Sequence, residues 1–159
     1  MKTTTLLLLL GVLALAGTHT AQAQASIEIG PRGGVDIDLI EEPFVGADLR
    51  ITMLTFPITI NPVFDYYFTE GDGNLFQVSG NALYKFGFDN QVFTPYSGLG
   101  VGVARFSNGT STTDVGLNIV GGAEFSLGAL KPFVQAQVTL LGDTDFATLG
   151  GGLLFRLGS

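Results

Sequence analysis

The sequence contains no cysteine and no tryptophan, and its single histidine, His19, falls in a stretch that reads as a removable leader. Without cysteine there are no disulfide staples, and the lipid-accepting thiol of a bacterial lipoprotein is missing. Without histidine or cysteine beyond residue 24, neither a Ser-His-Asp triad nor a Cys-His pair can be assembled. Zinc and copper lose their usual ligands for the same reason. The expectation is a protein that is not an enzyme and carries no cofactor. Charge is scarce as well, at 13% of residues, with seven Lys/Arg against fourteen Asp/Glu. That acidic balance excludes nucleic acid, which needs a basic footprint. Long apolar runs are missing too. No stretch after the leader reaches the roughly 20 residues of a transmembrane helix, so a membrane location would require a barrel.

The leader itself is legible. Met1-Lys2 supplies a short positive start, Leu6 to Ala16 an apolar core, and Ala21-Gln22-Ala23 or Ala23-Gln24-Ala25 a small-x-small cleavage pattern. Residues 1–23 are expected to be a signal peptide and 24–159 the mature domain. Removing Lys2 leaves six cations and a formal charge of −8.

What is present after the leader is strand upon strand. Apolar residues alternate at period two in runs 26–38, 43–53, 56–68, 74–86, 92–106, 114–127, 130–141 and 146–157. Turn-forming segments separate them, among them TEGDG at 69–73, SNGTSTT at 107–113 and GDTD at 142–145. The expected fold class is all-β, an eight-stranded antiparallel up-and-down transmembrane barrel. A two-sheet sandwich with one solvated face stays open as an alternative.

The two faces of each run carry the membrane argument. In the third run Phe56, Ile58, Ile60, Pro62, Phe64, Tyr66 and Phe68 oppose Thr59, Asn61, Val63, Asp65 and Tyr67. The polar faces are thin in charge and rich in Gly, Asn, Gln, Ser and Thr, unlike the outer face of a soluble protein. Mid-strand charges of both signs lie on them: Glu28, Arg32, Asp36, Asp48, Arg50, Asp65, Lys85, Glu124 and Arg156. This combination suits the packed polar lumen of a narrow barrel whose apolar face meets lipid. The stretch SGLGVGVARF then has a reason for its alternating Gly98, Gly100 and Gly102. An eight-stranded barrel is only wide enough for side chains to fill it. Glycines on one strand leave room for side chains from others.

If both termini face the periplasm, the connections 39–42, 69–73, 107–113 and 142–145 lie outside, and the mostly shorter 54–55, 87–91 and 128–129 lie inside. Asp38, Glu41, Glu42, Glu70, Asp72, Asp114, Asp143 and Asp145 then gather at the outer end. These are expected to be solvated rim charges. The pairs Glu41-Glu42 and Asp143/Asp145 are weak candidates for binding divalent cations. Arg105 has lipid-facing parity near that end, and two readings stay open: a snorkelling side chain, or contact with a lipopolysaccharide phosphate.

On these residues the chain resembles the small eight-stranded outer-membrane β-barrel family of Gram-negative bacteria, the group of the OmpA transmembrane domain and OmpX-like proteins. Thr94-Pro95-Tyr96 followed by alternating glycines is similar to the PYxGxGxG strand common in that family. Thr148, Gly150, Leu153 and Phe155 occupy the places of its C-terminal assembly signal, although here the chain continues with Arg156-Leu157-Gly158-Ser159. The resemblance implies a monomer in the bacterial outer membrane, in contact with outer-membrane lipid and lipopolysaccharide, and inserted by the outer-membrane assembly machinery. Enzymes with a similar barrel rely on histidine, which is missing from this domain. The expected function is a structural or surface-interaction role with the lumen plugged by polar and charged side chains. The alternatives are a small pore or hydrophobic-ligand carrier, and beyond those a soluble secreted ligand-binding barrel.

Overall fold

The computed structural model describes residues 25–38, 41–53, 56–69, 73–87, 92–142 and 145–157; the expected leader and Asp143 lie outside them. Eight strands follow one another: β1 (Ala25–Asp36), β2 (Pro43–Met53), β3 (Ile58–Tyr67), β4 (Asn74–Lys85), β5 (Phe93–Asn108), β6 (Thr110–Phe125), β7 (Leu130–Leu140) and β8 (Asp145–Leu157). Each pairs antiparallel with the next, and β8 closes onto β1. Closure removes the sheet edges and excludes the sandwich.

The register measures the barrel. A hydrogen-bonded row runs from Ile27 through Ile51, Ile60, Ala82, Leu99, Ile119, Val138 and Ala147. It returns to the first strand at Ile37, whose N–H donates to the Ala147 carbonyl. The row therefore climbs ten residues in one circuit. For eight strands that stagger tilts each strand by about 40° from the barrel axis.

The alternation read from the sequence sets the two faces. Leu99, Leu117 and Ile119 point outward and are at least half exposed, whereas Asp48, Arg50 and Asn61 are wholly buried inside. A soluble barrel needs the opposite arrangement, so that alternative is excluded. The outward face is also banded. Phe56, Tyr84, Phe86, Phe93, Phe125 and Phe155 lie towards the end that holds both termini, while Phe64, Tyr66, Phe68 and Phe76 lie towards the other. Ten residues separate Phe76 on β4 from Phe86 just past its end, or about 25 Å along the axis at this tilt. That matches the apolar band of an outer-membrane barrel, bordered by aromatic girdles at both interfaces. Leu99 lies between the belts. Leu99→Arg is expected to cost about 2–4 kcal/mol in urea unfolding from lipid vesicles, because the cation would sit in hydrocarbon. On a water-facing surface the same change would be close to neutral.

One connection differs from the expectation. Residues 107–113 were expected to form an outer loop, but β5 and β6 run through them to a turn at Gly109, where φ is 72°. Thr110, Thr112 and Thr113 are β-branched and favour strand, and glycine adopts a positive φ without strain. The resulting hairpin outreaches its neighbours. The β6–β7 pairing stops at Leu117, leaving the first turn-proximal residues of β6 paired only to β5. At the opposite end Gly128, also at φ 72°, makes the tight turn from β6 to β7.

Candidate functional site

The inward-facing side chains form layers that close the lumen from end to end. At the end away from the termini lies an aromatic cap. Phe44, Tyr67 and Phe146 pack together with Leu75 and Leu141 against them. Phe44 and Tyr67 have ring centroids 5.3 Å apart, and Phe146 meets Tyr67 edge-on at 6.3 Å. Sequence reasoning placed Tyr67 on the inner face but did not foresee this cap, since an aromatic residue near a strand end reads equally as a girdle residue.

Beneath the cap the Arg32 guanidinium lies 5.3 Å over the Phe44 ring. Its Nε reaches Asp65 at 3.1 Å and its Nη1 reaches Asp48 at 3.6 Å. Asp36, also buried, accepts the Asp38 N–H at 3.2 Å.

From Asp48 a relay of amides and hydroxyls runs around the inner wall. Asn61 donates to Asp48 at 2.9 Å, Asn81 to Asn61 at 3.4 Å, Asn118 to Asn81 at 3.0 Å and Thr139 to Asn118 at 3.0 Å. Gln77 and Gln137 both donate to Thr139 at 3.2 Å. The step from Asn81 on β4 to Asn118 on β6 passes over β5, which contributes only glycine there. A Cβ on Gly102 would press against Gln77 Nε2 at 2.9 Å and Asn118 Oδ1 at 3.0 Å, and one on Gly100 would overlap Asn81 Oδ1. Gly100 and Gly102 of β5 leave the space through which β4 and β6 meet. At Gly30, Gly34 and Gly116 the obstacle is instead the carbonyl of the neighbouring strand, from Leu153, Leu149 and Leu140 respectively. There, glycine permits close strand approach.

Arg50 occupies the next layer. Its guanidinium is sandwiched between the Tyr96 ring at 4.7 Å and the Phe133 ring at 4.4 Å. Nε bonds Asp48 at 3.0 Å, Nη1 bonds Glu124, and Nη2 donates to the Tyr96 hydroxyl at 3.0 Å. That hydroxyl in turn donates to Gln135 at 3.0 Å. Lys85 adds a second cation to Glu124 at 2.8 Å. Leu83 and Val120 pack beside Tyr96.

At the end holding the termini, Glu28 pairs with Lys131 and, at 3.8 Å, with Arg156. A cavity of about 230 Å³ opens there, lined by Glu28, Gly128, Ala129, Lys131 and Arg156. Lys131, absent from the expected network, belongs to this group; its place on the polar face of the seventh run was the available signal. Arg156, expected inside, stands at the mouth with its side chain 59% exposed. It is the penultimate residue of β8, at the rim of the barrel. The lumen and its inner mouth thus hold Arg32, Arg50, Lys85, Lys131 and Arg156 against Glu28, Asp36, Asp48, Asp65 and Glu124, a neutral set.

Glu41, Glu42 and Asp145 lie at the acidic rim; among the described residues no group of three or more potential metal ligands comes together. In β8, Thr148 and Gly150 face the lumen, while Leu153 and Phe155 face outward.

Solved structures share this architecture. The N-terminal β-barrel domain of Pseudomonas aeruginosa OprF matches with a TM-score of 0.69 at 19% identity, covering 83% of this chain and 97% of that one. Neisserial surface protein A matches at 0.67 and 12% identity, covering 84% and 97%. The chain has the fold of the small outer-membrane β-barrels. The attachment invasion locus protein Ail of Yersinia pestis, solved with the heparin analogue sucrose octasulfate, is a further small barrel of this kind. It matches at 0.55 and 18% identity, covering 84% and 97%. No protein-family model and no curated protein sequence matches the chain.

Proposed function

We propose that the chain is an integral outer-membrane protein, exported behind a cleaved leader, whose barrel is a sealed monomeric anchor with a structural or surface-interaction role. The observation that carries this reading is the closed lumen. A solute would have to pass the Phe44–Tyr67–Phe146 cap, the Asn61–Asn81–Asn118 relay and the layer of Arg50, Tyr96, Phe133 and Glu124, residues that are each at most 4% exposed. Eight strands leave no channel once such side chains fill them. The inner-mouth cavity is lined by Glu28, Lys131 and Arg156, which suits water rather than a hydrophobic ligand. These features weigh against the pore and carrier readings.

The outer surface narrows the choice of partners. Ail was solved with a sulfated sugar, whereas the end of this barrel away from the termini carries Asp38, Glu41, Glu42, Asp114 and Asp145, with Arg105 as its one outward cation among the described residues. Such a surface repels a sulfated polyanion. It favours cationic partners, or lipopolysaccharide bridged weakly through divalent cations. Insertion by the outer-membrane assembly machinery would use the Thr148, Gly150, Leu153 and Phe155 pattern of the last strand.

Planar-bilayer recording of the refolded protein tests the sealed lumen. The expected record is silent, with and without calcium. Steady openings of reproducible, ion-selective size would establish a pore instead.

A further inference from the structure

On the lipid-facing wall, below Arg105, lies an apolar groove of about 230 Å³ lined by Ile29, Ala47, Leu49, Pro62, Phe64 and Val78. It exists because Ala47 and Pro62 take outward positions among Ile29, Leu49, Phe64 and Val78, with Gly80 paired beside Pro62. The strand tilt aligns this groove with the cation. Arg105 pairs with Phe76, and two residues down β4 from Phe76 is Val78. Val78 pairs with Phe64, and two residues down β3 from Phe64 is Pro62. In a barrel tilted by about 40° such diagonal steps, each about 8 Å, run nearly parallel to the axis. The column Arg105–Val78–Pro62 therefore points straight into the bilayer.

The charge at its head is distinctive. Of the six cations beyond residue 24, Arg32 and Arg50 are buried in the lumen, and Lys85, Lys131 and Arg156 lie towards the end holding the termini. Only Arg105 faces outward at the other end, level with Phe76 of the aromatic girdle, and no carboxylate among the described residues pairs with it. Tyr66, which pairs with Phe76 in the same row, directs its hydroxyl to Asn74 at 2.8 Å and adds polar atoms at this level.

We propose that Arg105 and this groove form one binding site for a phosphorylated glycolipid of the lipid A type. The phosphate pairs with the Arg105 guanidinium at the interface, and an acyl chain lies in the groove over Pro62 and Ala47. Charge complementarity selects the head group, because a guanidinium matches phosphate oxygens in a bidentate fork. The row of small side chains selects an acyl chain, which gains contacts there that a full-width wall would deny it. This site rests on the outer-membrane reading above and names the lipid that reading would place against the wall.

The chain has no tryptophan, so Phe64→Trp supplies a single fluorophore at the groove. The full mature chain carrying it is refolded into vesicles of brominated phosphatidylcholine, and unbrominated lipids are titrated in to relieve the quenching. Lipid A is expected to relieve it at about tenfold lower mole fraction than phosphatidylcholine or phosphatidylglycerol. Arg105→Ala should abolish most of that preference, and Arg105→Lys should keep part of it. Gly80→Leu, whose new side chain meets nothing within 4 Å of its Cβ, should fill the groove's flank and weaken binding with the charge intact. Equal relief by dephosphorylated lipid A, equal relief by phosphatidylglycerol, or an unchanged preference in Arg105→Ala would each overturn the site. Every variant is also run unboiled in electrophoresis. A barrel that keeps its heat-dependent mobility while losing the lipid preference leaves the outer-membrane reading standing.

Discussion

Arg50→Ala is expected to destabilise the barrel by about 3–5 kcal/mol, read as a lower urea midpoint in lipid vesicles. The substitution removes the cation that Asp48 and Glu124 both bind, leaving two wholly or nearly wholly buried carboxylates short of a partner. It also removes the body that fills the gap between Tyr96 and Phe133. Asp48 keeps Arg32 at 3.6 Å and Glu124 keeps Lys85 at 2.8 Å, so each carboxylate loses one of its two cations, and both losses act in the same direction because the buried charges keep their desolvation cost. Lys85→Ala makes the control. Lys85 is 19% exposed in its side chain, and Arg50 still neutralises Glu124 when it is gone. Its cost should stay near 1 kcal/mol, the range of a partly solvated pair. Equal losses for the two variants would mean that burial gives the Arg50 contacts no more weight than a partly solvated ion pair.

The contrast between these residues also shows where sequence reasoning reaches its limit. Period-two alternation determines which face a side chain occupies, and that was enough to place Asp48, Arg50, Lys85 and Glu124 inside. It carries no information on the azimuth of each strand around the barrel. That Arg50 of β2 would meet Glu124 of β6, or that Glu28 of β1 would meet Lys131 of β7, depends on the ten-residue stagger and on the side-chain lengths that span the lumen. The aromatic cap was hidden for a different reason. Phe44 and Phe146 each sit one residue from a strand end, where a ring facing the lumen and a ring in the girdle give the same pattern. The hairpin at 107–113 was hidden by composition, since Ser, Asn, Gly and Thr read as a loop until the cross-strand pairs from Ser107↔Ser111 to Arg105↔Thr113 are seen. The strand boundaries elsewhere were legible to within a few residues, because nearly every run ends in a cluster of turn formers.

The neutral lumen and the acidic exterior divide the labour of the charges. In the lumen and at its inner mouth, five cations offset five carboxylates, which limits the net charge held in the low dielectric. Outside, Arg105 stands alone among carboxylates at one end.

Two adjacent glycines of β6 carry the second large expectation. Gly122 faces the lumen, where a Cβ would meet the Val134 carbonyl oxygen and the hydroxyl and ring of Tyr96. Gly121 faces outward, where a Cβ would meet nothing within 4 Å. Gly122→Val is expected to cost at least about 3 kcal/mol, beyond ordinary overpacking, since the first obstacle is a backbone carbonyl that cannot swing aside. Displacing Tyr96 would in addition break its bonds to Arg50 and Gln135 and spread the damage through that layer. Gly121→Val should be neutral or stabilising by up to about 1 kcal/mol, because valine favours strand and its methyl groups enter lipid. Glycine's backbone freedom is common to both sites, so a difference between them reports only what lies on each side of the wall. Refolding yield and urea midpoint, measured on the pair in the same vesicles, check it. Equal losses at the two positions would mean that β6 needs glycine for its backbone, and that the lumen does not set which residues must be small.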